Sequence, residues 1–186
     1  MVTILFQKKS CAKFFNALKP KLKMRIIQTS WACNKKNLFE FSFGWLAPEY
    51  HIMSWALSCL QLKFFYQDVV LYTDSVAAKL LIDTLQLPYT NVVCSLDSLN
   101  RSHTELWALP KVHTYSKQNV PFLHIDGDVY IWKTFDDELL SGNLIAQNKE
   151  AATRYYEDKI QHLEKHLTYF PKEIIEDRKA GNPVYA

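Results

Sequence analysis

Glycine is scarce in this chain, four among 186 residues, and cysteine is no more frequent. So little glycine excludes collagen-like and glycine-rich flexible architectures. Cys11, Cys33, Cys59 and Cys94 stand far apart, with no C-x-x-C spacing. That pattern supports neither a structural zinc site nor a disulfide framework, and reduced thiols in the cytoplasm are expected. No apolar run reaches the roughly 20 residues of a membrane helix. The opening Met1–Phe6, apolar and then followed by lysines, lacks the charge-first order of a signal peptide. Acid is missing too: none precedes Glu40, and no aspartate precedes Asp68. The first 39 residues hold nine of the 22 lysines and arginines, leaving 13 to face all 19 acidic residues. The net charge of +3 therefore belongs to the N-terminal end. A nucleic-acid module would spread its basic residues over a folded face, so no nucleic-acid partner is expected.

What is present fits a globular chain. Hydrophobic residues make up 48% and charged ones 22%, enough to bury a core. Residues 1–23 read as a basic N-terminal extension with Phe14, Phe15 and Leu18 among lysines, a loose segment that a membrane surface could accept peripherally. Met24–Trp31 reads as a first strand, rich in β-branched residues. Trp45, Met53, Leu57, Leu60 and Phe64 recur at helical spacings after Ala47-Pro48-Glu49, a helix start. Val69–Asp74 is a second strand, with Asp74 capping a helix over Val76–Leu85. Asn91–Ser95 is a short third strand, and Thr104–Ala108 opens another helix in which Trp107 reads as core. Phe135–Leu140 is a short helix and Leu144–Gln147 one more strand. Alternating strands and helices predict an α/β fold over residues 24–150, with a Rossmann-like, mostly parallel sheet flanked by helices. Residues 151–186 read as a C-terminal helical segment, amphipathic over Ala151–Phe170.

The chemistry concentrates in Pro121–Trp132, two apolar runs around Asp126-Gly127-Asp128. One reading is a buried strand whose tip carries a turn, since Asp-Gly is a hairpin signal. The other is a metal site. Two carboxylates on a short loop suit a hard divalent cation that takes its other ligands from water and substrate phosphates. His124, opposite Leu123 and Ile125 by alternation, reads as a satisfied half-buried histidine.

The order of these pieces resembles nucleotide-sugar glycosyltransferases of the GT-A fold, and a group of bacterial glycosyltransferase-like proteins of unassigned activity. The resemblance is carried by Met24–Trp31, Gly44–His51, Leu71–Ser75, Trp107–Lys111, Phe122–Trp132 and Leu144–Asn148. It implies that Thr29, Ser30 and Trp31 hold the nucleoside of a nucleoside-diphosphate sugar, a UDP-sugar by expectation. It also implies that Asp128 ligates Mn2+ or Mg2+, while Asp126 reaches the metal through water or binds the ribose. Arg101 and Lys111 are the candidates to support the diphosphate, each weighed against a solvated surface charge. Asp74 is a ribose or base contact or simply a helix cap. The acceptor is unassigned. Relatives of this type continue further, so the sheet is expected to be incomplete on its C-terminal side and the chain truncated. Two rival readings stand beside this one: a non-catalytic remnant, and another magnesium-dependent α/β phosphotransfer enzyme. The second expects an aspartate near the first strand, where this chain has none.

Overall fold

The computed structural model describes residues 2–5, 24–40, 42–100, 102, 106–142, 144–146, 149–150, 161–169, 172 and 184–185. The chain divides into two compact units, Met1–Ile145 and Ala146–Ala186.

The first unit is built on the strands expected from the sequence together with one, Val2–Leu5, that is not. β1 (Val2–Leu5), β2 (Arg25–Ser30), β3 (Val69–Thr73), β4 (Asn91–Cys94), β5 (Phe122–Ile125) and β6 (Leu144–Ala146) form one sheet in the order β4-β3-β2-β5-β1-β6. The four strands β4, β3, β2 and β5 are parallel, with Ile26 paired to Val69 on one side and to Leu123 on the other. β1, within the segment expected as a loose extension, runs antiparallel to β5, with Val2 opposite Ile125. A central parallel strand is covered on both faces, which is why β3 begins with three aliphatic residues and is wholly buried.

The sheet has helices on both sides. On one face Ile26, Val69, Leu71, Leu123 and Ile125 meet Trp55, Cys59 and Leu62 of α1 (Pro48–Phe65), together with Ala77 and Leu81. On the other face Ile27, Val70, Tyr72 and Phe122 pack against Tyr115 of α3 (Leu109–Ser116). Ile26, Leu71 and Leu123 are fully buried, each side chain contributing about 1.5–3 kcal/mol. α2 (Ser75–Ala78) continues as a π-helix over Lys79–Thr84, and Gln86, with φ of 53°, ends it. A further short helix is α4 (Asp137–Leu140).

Three expectations are corrected. Met53, Leu57, Leu60 and Phe64 lie on the exposed side of α1, Phe64 at 82%. The inward side carries Ile52, Trp55, Cys59 and Leu62 together with two serines, Ser54 and Ser58. The second apolar run after Asp126 is not a strand. Val129 N donates to Asp126 O over 3.1 Å, closing a turn, and residues 129–132 form no strand; the chain rejoins the sheet only at β6. Third, the C-terminal segment is not helical alone. In the second unit β7 (Lys149–Glu150) pairs antiparallel with β8 (Val184–Tyr185), while residues 161–166 are helical. Among the described residues no helix is long and apolar enough to cross a membrane.

Candidate functional site

Parallel strands leave their carboxyl ends at one edge of the sheet, where a ligand can approach several loops at once. Here β2 ends in Thr29, Ser30 and Trp31, and β5 runs into Asp126, Gly127 and Asp128. Both line a cleft of about 460 Å³, with Pro110 and Lys111 from the start of α3. Cys33 and the rings of Phe43, Trp45, His51, Trp55 and Trp107 complete its walls.

The Asp126–Val129 turn is fixed from below by α1. Ser54 Oγ donates to Gly127 O over 2.8 Å, and Ser58 Oγ to Val129 O over 2.7 Å. Gln28, fully buried on β2, donates through Nε2 to Ser58 Oγ at 3.0 Å and receives Tyr89 Oη on its Oε1 at 2.7 Å. Each is a satisfied buried polar group, and together they lock the turn's carbonyls to two rigid elements. Gly127 sits directly on the Trp55 ring, where a Cβ would have no room.

Above the turn, Lys111 Nζ donates to Asp126 Oδ2 over 2.8 Å, with side-chain exposures of 18% and 14%. Lys111 Nζ also lies 5.2 Å from the Trp107 ring centre. His124 Nδ1 lies 3.5 Å from Asp126 Oδ1, and its Nε2 lies 3.0 Å from Thr29 Oγ1. Thr29 Oγ1 is in turn 3.1 Å from Thr114 Oγ1 on α3. Burial pushes the Asp126 carboxyl up, but the Lys111 ammonium beside it outweighs that and holds it below the usual carboxylate range. Burial drives His124 down to about 3, against the pull of Asp126, and His51 down to about 4, against that of Asp128.

These histidines make the fold acid-sensitive. A histidine whose folded pKa lies below its unfolded value near 6.5 binds its proton more readily once unfolded. Its contribution is complete above about 6.5 and is lost as pH falls toward 3. For His124 alone, stability should fall by up to about 1.4 kcal/mol per pH unit across that window. Urea titrations at stepped pH should show this fall, and His124→Gln should flatten it. An equal slope in the variant would mean that other groups carry the acid lability.

The structure thus brings together Thr29, Ser30, Trp31, Lys111, Asp126 and Asp128. Asp74 lies elsewhere, 1% exposed. Its Oδ1 accepts from Ala77 N and its Oδ2 from Ala32 N, each over 2.8 Å, so both oxygens serve the helix cap and the loop after β2. Arg101 lies outside the described residues. His124 is fully rather than half buried, and only its Nε2 is satisfied, Nδ1 making no hydrogen bond. Trp107, expected in the core, is 61% exposed at the cleft, because α3 begins only at Leu109 and leaves the tryptophan in the preceding turn. Sequence reading missed Phe43, Trp45, His51 and Trp55 as cleft walls. The signal was an aromatic cluster just before and within the first turns of α1. His51 stacks on Phe43 with ring centres 4.4 Å apart.

Among the described residues no group of three or more histidines, cysteines or carboxylates is placed to hold a metal unaided. Asp126 and Asp128 could serve a cation that draws its other ligands from water and phosphate. Comparison with curated proteins and with solved structures gave no match. A family model matches residues 24–186, most of the chain, and the chain belongs to that family, a family of unknown function (DUF6734).

Proposed function

We propose that this cleft binds a nucleoside-diphosphate sugar with Mn2+ or Mg2+, as the donor site of a GT-A-like glycosyltransferase in the cytoplasm. One observation carries the reading. Asp126, Asp128 and Lys111 meet Thr29, Ser30 and Trp31 in a single aromatic-walled cleft at the carboxyl ends of parallel strands. A ligand suited to it has a planar or apolar portion for the tryptophans and an anionic portion for the lysine. It also brings oxygens that complete the shell of a cation at the carboxylates. A nucleoside diphosphate has all three, and a UDP-sugar is our expected donor.

Asp128 is exposed and Asp126 half-buried, so a cation would meet one open carboxylate and one held by Lys111. Bound there, the cation supplies charge stabilisation to the departing diphosphate. Lys111 supplies a second positive charge on the same side of the leaving group. The Ser54, Ser58 and Gln28 network keeps the two aspartates in register, which is what positioning for transfer requires. Trp45 and Trp107 offer ring faces to a base or sugar and keep water from it.

Titration calorimetry with UDP tests this. With Mn2+ present UDP should bind, and chelator should weaken binding at least tenfold. Asp128→Asn should remove that metal dependence with the fold intact by circular dichroism. Equal UDP affinity with Mn2+ and with chelator would defeat the metal-dependent reading.

A further inference from the structure

The 2.8 Å pair between Lys111 Nζ and Asp126 Oδ2 sets a condition on how ligands enter. We propose that Lys111 is an exchangeable counter-ion: it balances Asp126 until a cation does so, and is then released to the diphosphate. The inference rests on the nucleotide-binding reading above and adds to it the dependence of each ligand on the other.

The coupling is electrostatic. A cation arriving alone meets an ammonium already seated on one of its two carboxylates. A diphosphate arriving alone is drawn to Lys111 but faces Asp126 and Asp128 at the same place. His124, whose Nδ1 lies 3.5 Å from Asp126, is held neutral by burial and does not replace the lysine. When both ligands are present, the cation takes the carboxylate and the phosphate takes the ammonium, so each removes the charge that repelled the other. The pair is mostly shielded from water, where such charges interact more strongly than at an open surface. Trp107, 5.2 Å from Nζ, gives the released ammonium an aromatic face and keeps it at the cleft. Coupling of this kind is reciprocal: the factor by which nucleotide tightens the cation equals the factor by which the cation tightens nucleotide.

A lysine that supported phosphate without being seated on Asp126 would weaken cation binding without nucleotide far less. That difference makes the test. Free Mn2+ is followed by electron paramagnetic resonance during titration of wild type, Lys111→Met and Lys111→Arg. Each titration is run with and without UDP and corrected for the Mn2+ that UDP binds in solution. UDP should tighten Mn2+ at least tenfold in wild type. Lys111→Met should bind Mn2+ alone about tenfold more tightly than wild type, because the competing charge is gone, and UDP should then add less. Lys111→Arg should behave as wild type. Should Lys111→Met fail to fold, Lys111→Gln takes its place with the same expected shift. Mn2+ affinity that is unchanged or weaker in the neutral variant, with the effect of UDP intact, overturns the exchange and leaves the nucleotide reading standing. Wild-type protein that binds neither Mn2+ nor UDP overturns both.

Discussion

Gly127→Ala is expected to abolish nucleotide binding while leaving both aspartates in the chain. The added Cβ would lie 2.3 Å from Trp55 Cε2 and 2.5 Å from Cδ2, inside any real contact. The φ of Gly127 is not positive, so the effect is steric and not conformational. Trp55 cannot yield easily: it is 6% exposed and packed among Ala32, Leu38, Cys59 and Leu71. The turn must move instead, against the Ser54 bond to Gly127 O. Overpacking of this kind costs about 1–3 kcal/mol. Displacing Asp126 and Asp128 together should weaken UDP binding in Mn2+ at least hundredfold, about 2.7 kcal/mol. Calorimetry reads the affinity and a urea titration the stability. Wild-type affinity in the variant would show that the aspartates do not act through this turn.

Asp74→Ala should be the most destabilising single change outside the hydrophobic core. The carboxylate caps α2 through Ala77 N and also accepts Ala32 N, which is buried with its residue at 1% exposure. Losing the cap costs about 1 kcal/mol, and stranding a buried N–H adds about 1–3 kcal/mol. Loss of about 2–4 kcal/mol is therefore expected from chemical denaturation. Ala32 directly follows Trp31, so the cleft's β2 rim should loosen and UDP binding weaken as a consequence. Asp74→Asn, which keeps one carbonyl acceptor, should lose less. A variant at wild-type stability would show that another group or water satisfies both N–H donors.

The four parallel strands were legible because they are short apolar runs separated by helix starts, whereas β1 in the basic N-terminal segment was not. β2, β3, β4 and β5 fall where the pattern placed them, and Asp74 caps its helix as expected. Six of the eight candidate residues converge on one cleft because the carboxyl ends of parallel strands converge. What was not legible depends on partners far away in sequence. Ser54 and Ser58 look like the polar side of α1, yet they face inward because the carbonyls they serve lie about 70 residues further on. Turning that side inward leaves Met53, Leu57, Leu60 and Phe64 outside, against the reading from apolar spacing alone. Gln28 is fully buried in β2 next to Ile26 and Ile27, and hydrogen bonds to Ser58, Tyr89 and the Asp126 carbonyl make that tolerable. Trp107 reads as core from the sequence, whereas its exposure is set by where α3 begins.

The central claim is that nucleoside diphosphate and cation meet between the tryptophans and the Asp126–Asp128 turn. The five tryptophan indole N–H signals of the 15N-labelled protein test it directly. Trp31, Trp45, Trp55 and Trp107 line the cleft, and Trp132, 79% exposed and outside the cleft lining, is the internal control. Adding UDP with Mg2+ should shift Trp45 and Trp107 most and leave Trp132 in place, and uridine with Mg2+ should produce smaller shifts. Shifts confined to Trp132, or none at any of the five under saturating UDP and Mg2+, would contradict the assignment of this cleft.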